Sequence, residues 1–140
     1  QYKTEILDVL DKFENFHYLG SLDYPDEVRK YLTEIDIYAL PTGMDTTPLS
    51  CRESMSMKNP TVATNVGGIP EMIYNDKTGF LVEEGDSEAW IEKISLLIND
   101  KEMREKLGKN ARELVIEKFN WDKLSKTFVE IVKPFVKKKA

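Results

Sequence analysis

A chain of 140 residues that is 41% hydrophobic and 32% charged has apolar material for one globular domain with a real core, and is neither disordered nor membranous in composition. Its 20 basic and 25 acidic side chains, a formal charge of −5, exclude the gathered basic face of a dedicated nucleic-acid binder. A single cysteine, Cys51, and a single histidine, His17, exclude an internal disulfide and a Cys/His metal cluster, and point to a reducing, cytoplasmic setting.

No apolar run approaches the length of a transmembrane helix. The opening QYKTEILDVL has neither an initiator methionine nor a signal-peptide pattern, so the chain reads as a piece of something longer. Ile6, Leu7, Leu10 and Phe13 fall at helical spacing, and the aromatic run NFHYLG (15–20) predicts a strand stopped by glycine. PDEVRKYLTEI opens with a proline and two acids and carries Val28, Tyr31, Leu32 and Ile35 along one face, which predicts a helix. DIYALP is a second strand, ended by Pro41.

Residues 49–57 form a helix candidate, after which Pro60 leads into the β-branched run TVAT, a third strand. NVGGIPEMI is turn chemistry with a short helical segment, and TGFLVEEGD supplies a fourth brief strand. Helices over 87–98 and 101–119 follow. A last one starts at Trp121, with Leu124, Phe128, Ile131 and Phe135 at spacings of three or four. Strands alternating with helices predict an α/β fold with a Rossmann-like parallel sheet, 1–140 being one domain with a helical C-terminal segment.

In such a sheet ligands bind beyond the carboxyl ends of the strands, where the stretch MDTTPLSCRES (44–54) lies. A helix beginning near Pro48 points the free N–H groups of Leu49 and Ser50 at that rim, a place suited to an anion such as a pyrophosphate, and Thr46 and Thr47 add hydroxyl donors. Asp45 stands before the helix and Glu53 about 7 Å along its axis. A carboxylate accepts two hydrogen bonds at once, which suits a vicinal diol. A nucleotide-sugar offers one at the ribose, and sugar hydroxyls at the other end of its pyrophosphate.

Five segments in order then carry a resemblance: YLG, IDIYALP, the Asp45-to-Glu53 block running into SMSMKNPTVAT, NVGGIPEMI with TGFLVEEGD, and KFNW. The chain resembles the second half of the donor-binding domain of retaining GT-B glycosyltransferases of the family-four, group 1 type. The resemblance covers residues 16–121. It implies that Glu53 holds the ribose hydroxyls and that Asp45, in place of the usual glutamate, is the catalytic-site acid reaching the transferred hexosyl group. Backbone amides around Thr47, Leu49 and Ser50 would meet the sugar and diphosphate. It further implies a nucleoside-diphosphate sugar donor, a UDP-sugar first of all, with no metal and no other cofactor.

Departures from the family pattern are Asp45, one methylene shorter than glutamate, and Thr46, Thr47 and Lys58-Asn59 at positions where the family differs. The resemblance places a cationic loop, the first strands of the domain and an acceptor-binding domain before residue 1, with the segment 119–140 packing on that absent domain. On that expectation the final helix exposes an apolar stripe and Pro134 kinks or ends it. The FHYL strand either pairs with IYAL or is completed by another chain, so self-association through strand edges or the C-terminal helix is expected. The longer protein is cytoplasmic or peripheral at a membrane surface.

Plainer readings stand beside these. Glu53 alone would be a helix-surface carboxylate, Asp45 an Asx-turn residue, His17 a structural histidine and Cys51 a buried thiol. Gly67 and Gly68 serve a tight turn or let a ligand approach the backbone. Two further functions compete with the donor-binding part of a transferase: a non-catalytic Rossmann-like interaction module and a GT-B-fold sugar-nucleotide epimerase.

Overall fold

The computed structural model describes residues 2–136, with side chains from Glu5 onward. The chain divides into two compact units, with the division between Tyr31 and Leu32. The first contains α1 (Tyr2–Leu10) and the start of α2 (Asp26–Glu34). The Glu27 carboxylate reaches back to accept the Asp23 N–H at 2.8 Å, tying the turn that leads into α2 to the helix.

The stretch 16–20 between these helices is irregular, which corrects the expected FHYL strand. A strand exists only through a neighbour's ladder, and the described sheet consists of three other segments. The local apolar pattern was genuine, but Tyr18 and Leu19 remain exposed. His17, expected inside that strand as a structural histidine, is exposed in the same irregular stretch.

The second unit holds a three-stranded parallel sheet in the order β1 (Tyr38–Leu40), β2 (Thr61–Thr64), β3 (Gly79–Val82). The register sets Ala39 beside Val62 and Val62 beside Phe80. Side chains alternate across the sheet as the pleat requires. Ala63 faces a core with Cys51, Met55, Ile69, Ile73, Ala111 and Leu114, while Val62 faces one with Phe80, Val82, Leu97 and Leu107. The first core is closed by α3 (Leu49–Ser56) and α5 (Lys101–Lys118), the second by α4 (Ser87–Asn99). α5 contributes to both, through Leu107 on one side and Ala111 and Leu114 on the other.

The helix starts follow their caps. Asp86 accepts from the Ala89 N–H at 2.9 Å and Asp100 from the Met103 N–H at 2.8 Å. Asn120 accepts from Asp122 and Lys123 at the start of α6 (Trp121–Val132). Each such cap is worth about 1 kcal/mol. No residue of α6 is buried, and Trp121, Phe128 and Phe135 are 82%, 66% and 81% exposed. The expected apolar stripe is therefore present. Pro134 lies in a 3₁₀ turn over Lys133–Phe135, where α6 ends. The Lys137-to-Lys139 run lies outside the described residues, and no described helix is long and apolar enough to cross a membrane.

α5 passes very near the end of α3. A Cβ on buried Gly108 would lie 1.9 Å from the Lys58 carbonyl oxygen. Alanine raises helix propensity by about 1 kcal/mol, yet a backbone clash this close forces the helices apart at a cost near the upper end of roughly 1–3 kcal/mol. Gly108→Ala is expected to destabilise the protein by about 2 kcal/mol. A urea midpoint equal to or above that of the parent would refute the crossing argument.

Candidate functional site

The loop 41–48 leaves the carboxyl end of β1 and delivers the chain to α3. Its start is tied to β2: the Thr42 N–H donates to the Thr64 hydroxyl at 3.0 Å, and that hydroxyl donates to the Leu40 carbonyl at 3.4 Å. The Thr42 hydroxyl donates to the Met44 carbonyl at 3.1 Å. Pro48, buried, occupies the cap position of α3 and offers no side-chain acceptor. The first-turn N–H groups of α3 are thus left without a side-chain cap, at the rim where the strands end.

The sequence-predicted residues converge there. Asp45, Ser50 and Glu53 are half-buried, whereas Thr46, Thr47 and Leu49 are exposed. Tyr38 of β1 stands among them. Its side chain is hydrogen-bonded to Ser50, and it lies within electrostatic reach of Cys51, Glu53 and Asp45. Burial, followed by those three acidic groups, raises the Tyr38 phenol above its ordinary value of 10.0 despite the Ser50 bond. Nothing in the sequence singled out Tyr38. Its place seven residues before Asp45 becomes meaningful only once the loop turns back over the end of β1.

Cys51 is fully buried, as expected. Burial first, then the negative charge of Asp45, pushes its thiol up to about 12. Arg52, the cation of α3, lies over the Phe119 ring, with its guanidinium carbon 5.4 Å from the ring centre. Its Nε is buried without a hydrogen-bond partner.

The second feature that the sequence concealed is what faces the glycine pair after β2. A Cβ on Gly67, whose φ is +54°, would lie 1.7 Å from the Asp45 carbonyl oxygen, and one on Gly68 would lie 2.0 Å from that of Thr46. The backbone that approaches these glycines is the chain's own loop. Both stretches of turn chemistry therefore form one structure.

The sequence pattern of the family described as glycosyl transferases group 1 matches residues 4–114, and the chain belongs to that family. It is 40% identical over 99 residues to a sulfoquinovosyl transferase of Arabidopsis thaliana, across 69% of this chain and 19% of that protein. It is 32% identical over 126 residues to an N-acetyl-alpha-D-glucosaminyl L-malate synthase of Bacillus anthracis, across 86% of this chain and 32% of that one. The chain spans about a fifth to a third of the length of such relatives. Among solved structures, the C-terminal domain of a glycosyl transferase group 1 protein from Francisella tularensis superimposes with a TM-score of 0.78 at 26% identity, covering 86% of this chain and 63% of that one. An Anabaena protein solved with UDP-glucose shares the fold with a TM-score of 0.81 at 19% identity, over 95% of this chain and 37% of that one. The architecture is that of the C-terminal domain of GT-B glycosyltransferases.

The Cys51 environment gives a pH test. Between pH 9.0 and about 12 the unfolded thiol ionises and the folded one does not, so the unfolded state binds fewer protons and stability falls as pH rises. Below that window Cys51 contributes no pH dependence. The native thiol is expected to resist iodoacetamide at pH 8 and to react only at urea concentrations that unfold the chain. Rapid alkylation of the folded protein would show that Cys51 is not buried as described.

Proposed function

We propose that this chain is the nucleotide-sugar-binding part of a retaining glycosyltransferase that moves a hexosyl group from a nucleoside-diphosphate sugar, a UDP-sugar first of all, to an acceptor. The observation that carries the reading is the gathering of Asp45 and Glu53 around Tyr38, with an uncapped helix start between them, in a member of a glycosyltransferase family. Glu53 accepts both ribose hydroxyls, and Asp45 reaches the transferred sugar. Backbone N–H groups near Thr47, Leu49 and Ser50 meet the diphosphate, whose charge the helix dipole stabilises. In this reading the developing leaving-group charge is met by such fixed dipoles, together with cations from outside the stretch, and no metal has an assigned role.

The exposed apolar face of α6 is the surface that packs against an acceptor-binding domain, and the buried lone thiol suits a cytoplasmic site of action. Each end of the donor then has its own carboxylate, and the two are separable by mutation. Hydrogen bonds to a charged group are worth about 1.5–3 kcal/mol. In the full-length protein Glu53→Gln is accordingly expected to weaken UDP binding by roughly tenfold or more, and Asp45→Asn by less than about threefold, in calorimetric titrations. The opposite order would overturn the assignment. This chain alone is expected to be inactive, so the epimerase reading is tested on the full-length protein: incubation with the donor alone should leave the sugar configuration unchanged, and an altered sugar would favour an epimerase.

A further inference from the structure

Gly68 has φ −93° and ψ 4°, a conformation open to alanine. What restricts the position is the loop opposite. A Cβ there would meet the Thr46 carbonyl oxygen at 2.0 Å and the Thr47 methyl carbon at 3.2 Å. Gly67 adds a left-handed backbone and the still closer Asp45 carbonyl. The turn carrying both is anchored from beneath. The Val66 N–H donates to the Thr64 carbonyl at 2.9 Å and the Glu71 N–H to that of Gly68 at 3.2 Å, while Ile69, Met72 and Ile73 are buried in the core.

We propose that Gly68, together with Gly67, is a positioning residue for the Asp45 carboxylate. The turn after β2 is a fixed stop against which the backbone of 45–47 rests, and its lack of side chains sets how far Asp45 stands from the strand ends. Glu53 is independent of that stop, because α3 holds it through the buried Cys51, Ser54 and Met55. Displacing the loop therefore moves the acid assigned to the transferred sugar and leaves the acid assigned to the nucleotide. The assignment to sugar rests on the donor reading above; the resting of the loop on the turn does not.

Relief of a 2.0 Å approach takes a displacement on the order of 1 Å, and misplacement by that amount costs up to about 100-fold where geometry matters. The test compares Gly68→Ala, which adds the contact without a left-handed backbone, with Gly85→Ala, which forces a φ of +81° with nothing within 4 Å. Two readouts are taken on the full chain: amide resonances of residues 45–47 in nitrogen-15 spectra, and calorimetric affinities for UDP and UDP-glucose. Gly68→Ala is expected to move the 45–47 resonances and to abolish the affinity increment of UDP-glucose over UDP, while UDP, which loses the amide near Thr47 but keeps Glu53 and the amides of Leu49 and Ser50, is weakened less than UDP-glucose. Gly85→Ala should do neither.

Ile69→Val, one methyl group removed beneath the turn, should shift both readouts in the same direction by less, and serves if Gly68→Ala does not fold. Unmoved 45–47 resonances would overturn the proposal, as would equal loss of UDP and UDP-glucose binding. A parent chain that binds neither nucleotide refutes the donor reading, while the resonances still decide whether the turn positions the loop.

Discussion

Thr61 to Thr64 has no free edge and no exposed face. All four residues are buried; Thr61, Val62 and Ala63 pair in parallel with β1, and all four pair in parallel with β3. A strand in that position must satisfy every polar group within the protein. Its threonine hydroxyls do so locally, Thr61 donating to the Asn59 carbonyl at 3.4 Å and Thr64 bridging Leu40 and Thr42. Just before the strand, the buried Asn59 amide donates to the Leu32 carbonyl at 2.6 Å. Because the register of β1 and β3 is set against β2, the points at which their loops leave the sheet are set by it as well. The rim is a consequence of that one buried strand.

The helical half of the second unit was legible because its signals are local. Asp86, Asp100 and Asn120 each cap the helix that begins at the following residue, and the chemistry of a cap is complete within four residues. TVAT was legible for a related reason, since a β-branched run flanked by Pro60 and a glycine turn fits little else. The stretch 15–20 has comparable local character and is irregular, because pairing is a property of two segments and one segment's sequence reports only half of it. Local evidence was sufficient for elements that satisfy themselves.

The same division runs through the candidate site. Asp45 and Glu53 could be read as a pair because one loop and one short helix carry both, at a fixed spacing. Tyr38 and the glycine turn could not, since each joins the site through a different strand end, and only the register between β1 and β2 brings them to it. Gly67 and Gly68 were visible as a turn, with a ligand as the candidate for whatever came close. The closest approach instead belongs to the Asp45–Thr46 backbone, a contact between positions more than twenty residues apart in sequence.

The buried thiol shows how these neighbours act on one another. Cys51 lies in the first turn of α3, where a helix N-terminus favours an anion by about 0.3–1 kcal/mol and commonly activates cysteine. Against this stand complete burial and the charge of Asp45. Together they raise the thiol from 9.0 to about 12, on the order of 4 kcal/mol at 1.36 kcal/mol per unit. The larger effect wins, and Cys51 stays neutral near pH 7. A thiolate here would have set a third negative charge beside Asp45 and Glu53 at the rim to which a diphosphate is assigned, and its repulsion would have cancelled part of what the helix start contributes. An ordinary thiol is already largely neutral near pH 7, and burial extends that neutrality into the alkaline range, while the hydroxyl of Ser50, held against Tyr38, presents a neutral group at the preceding position.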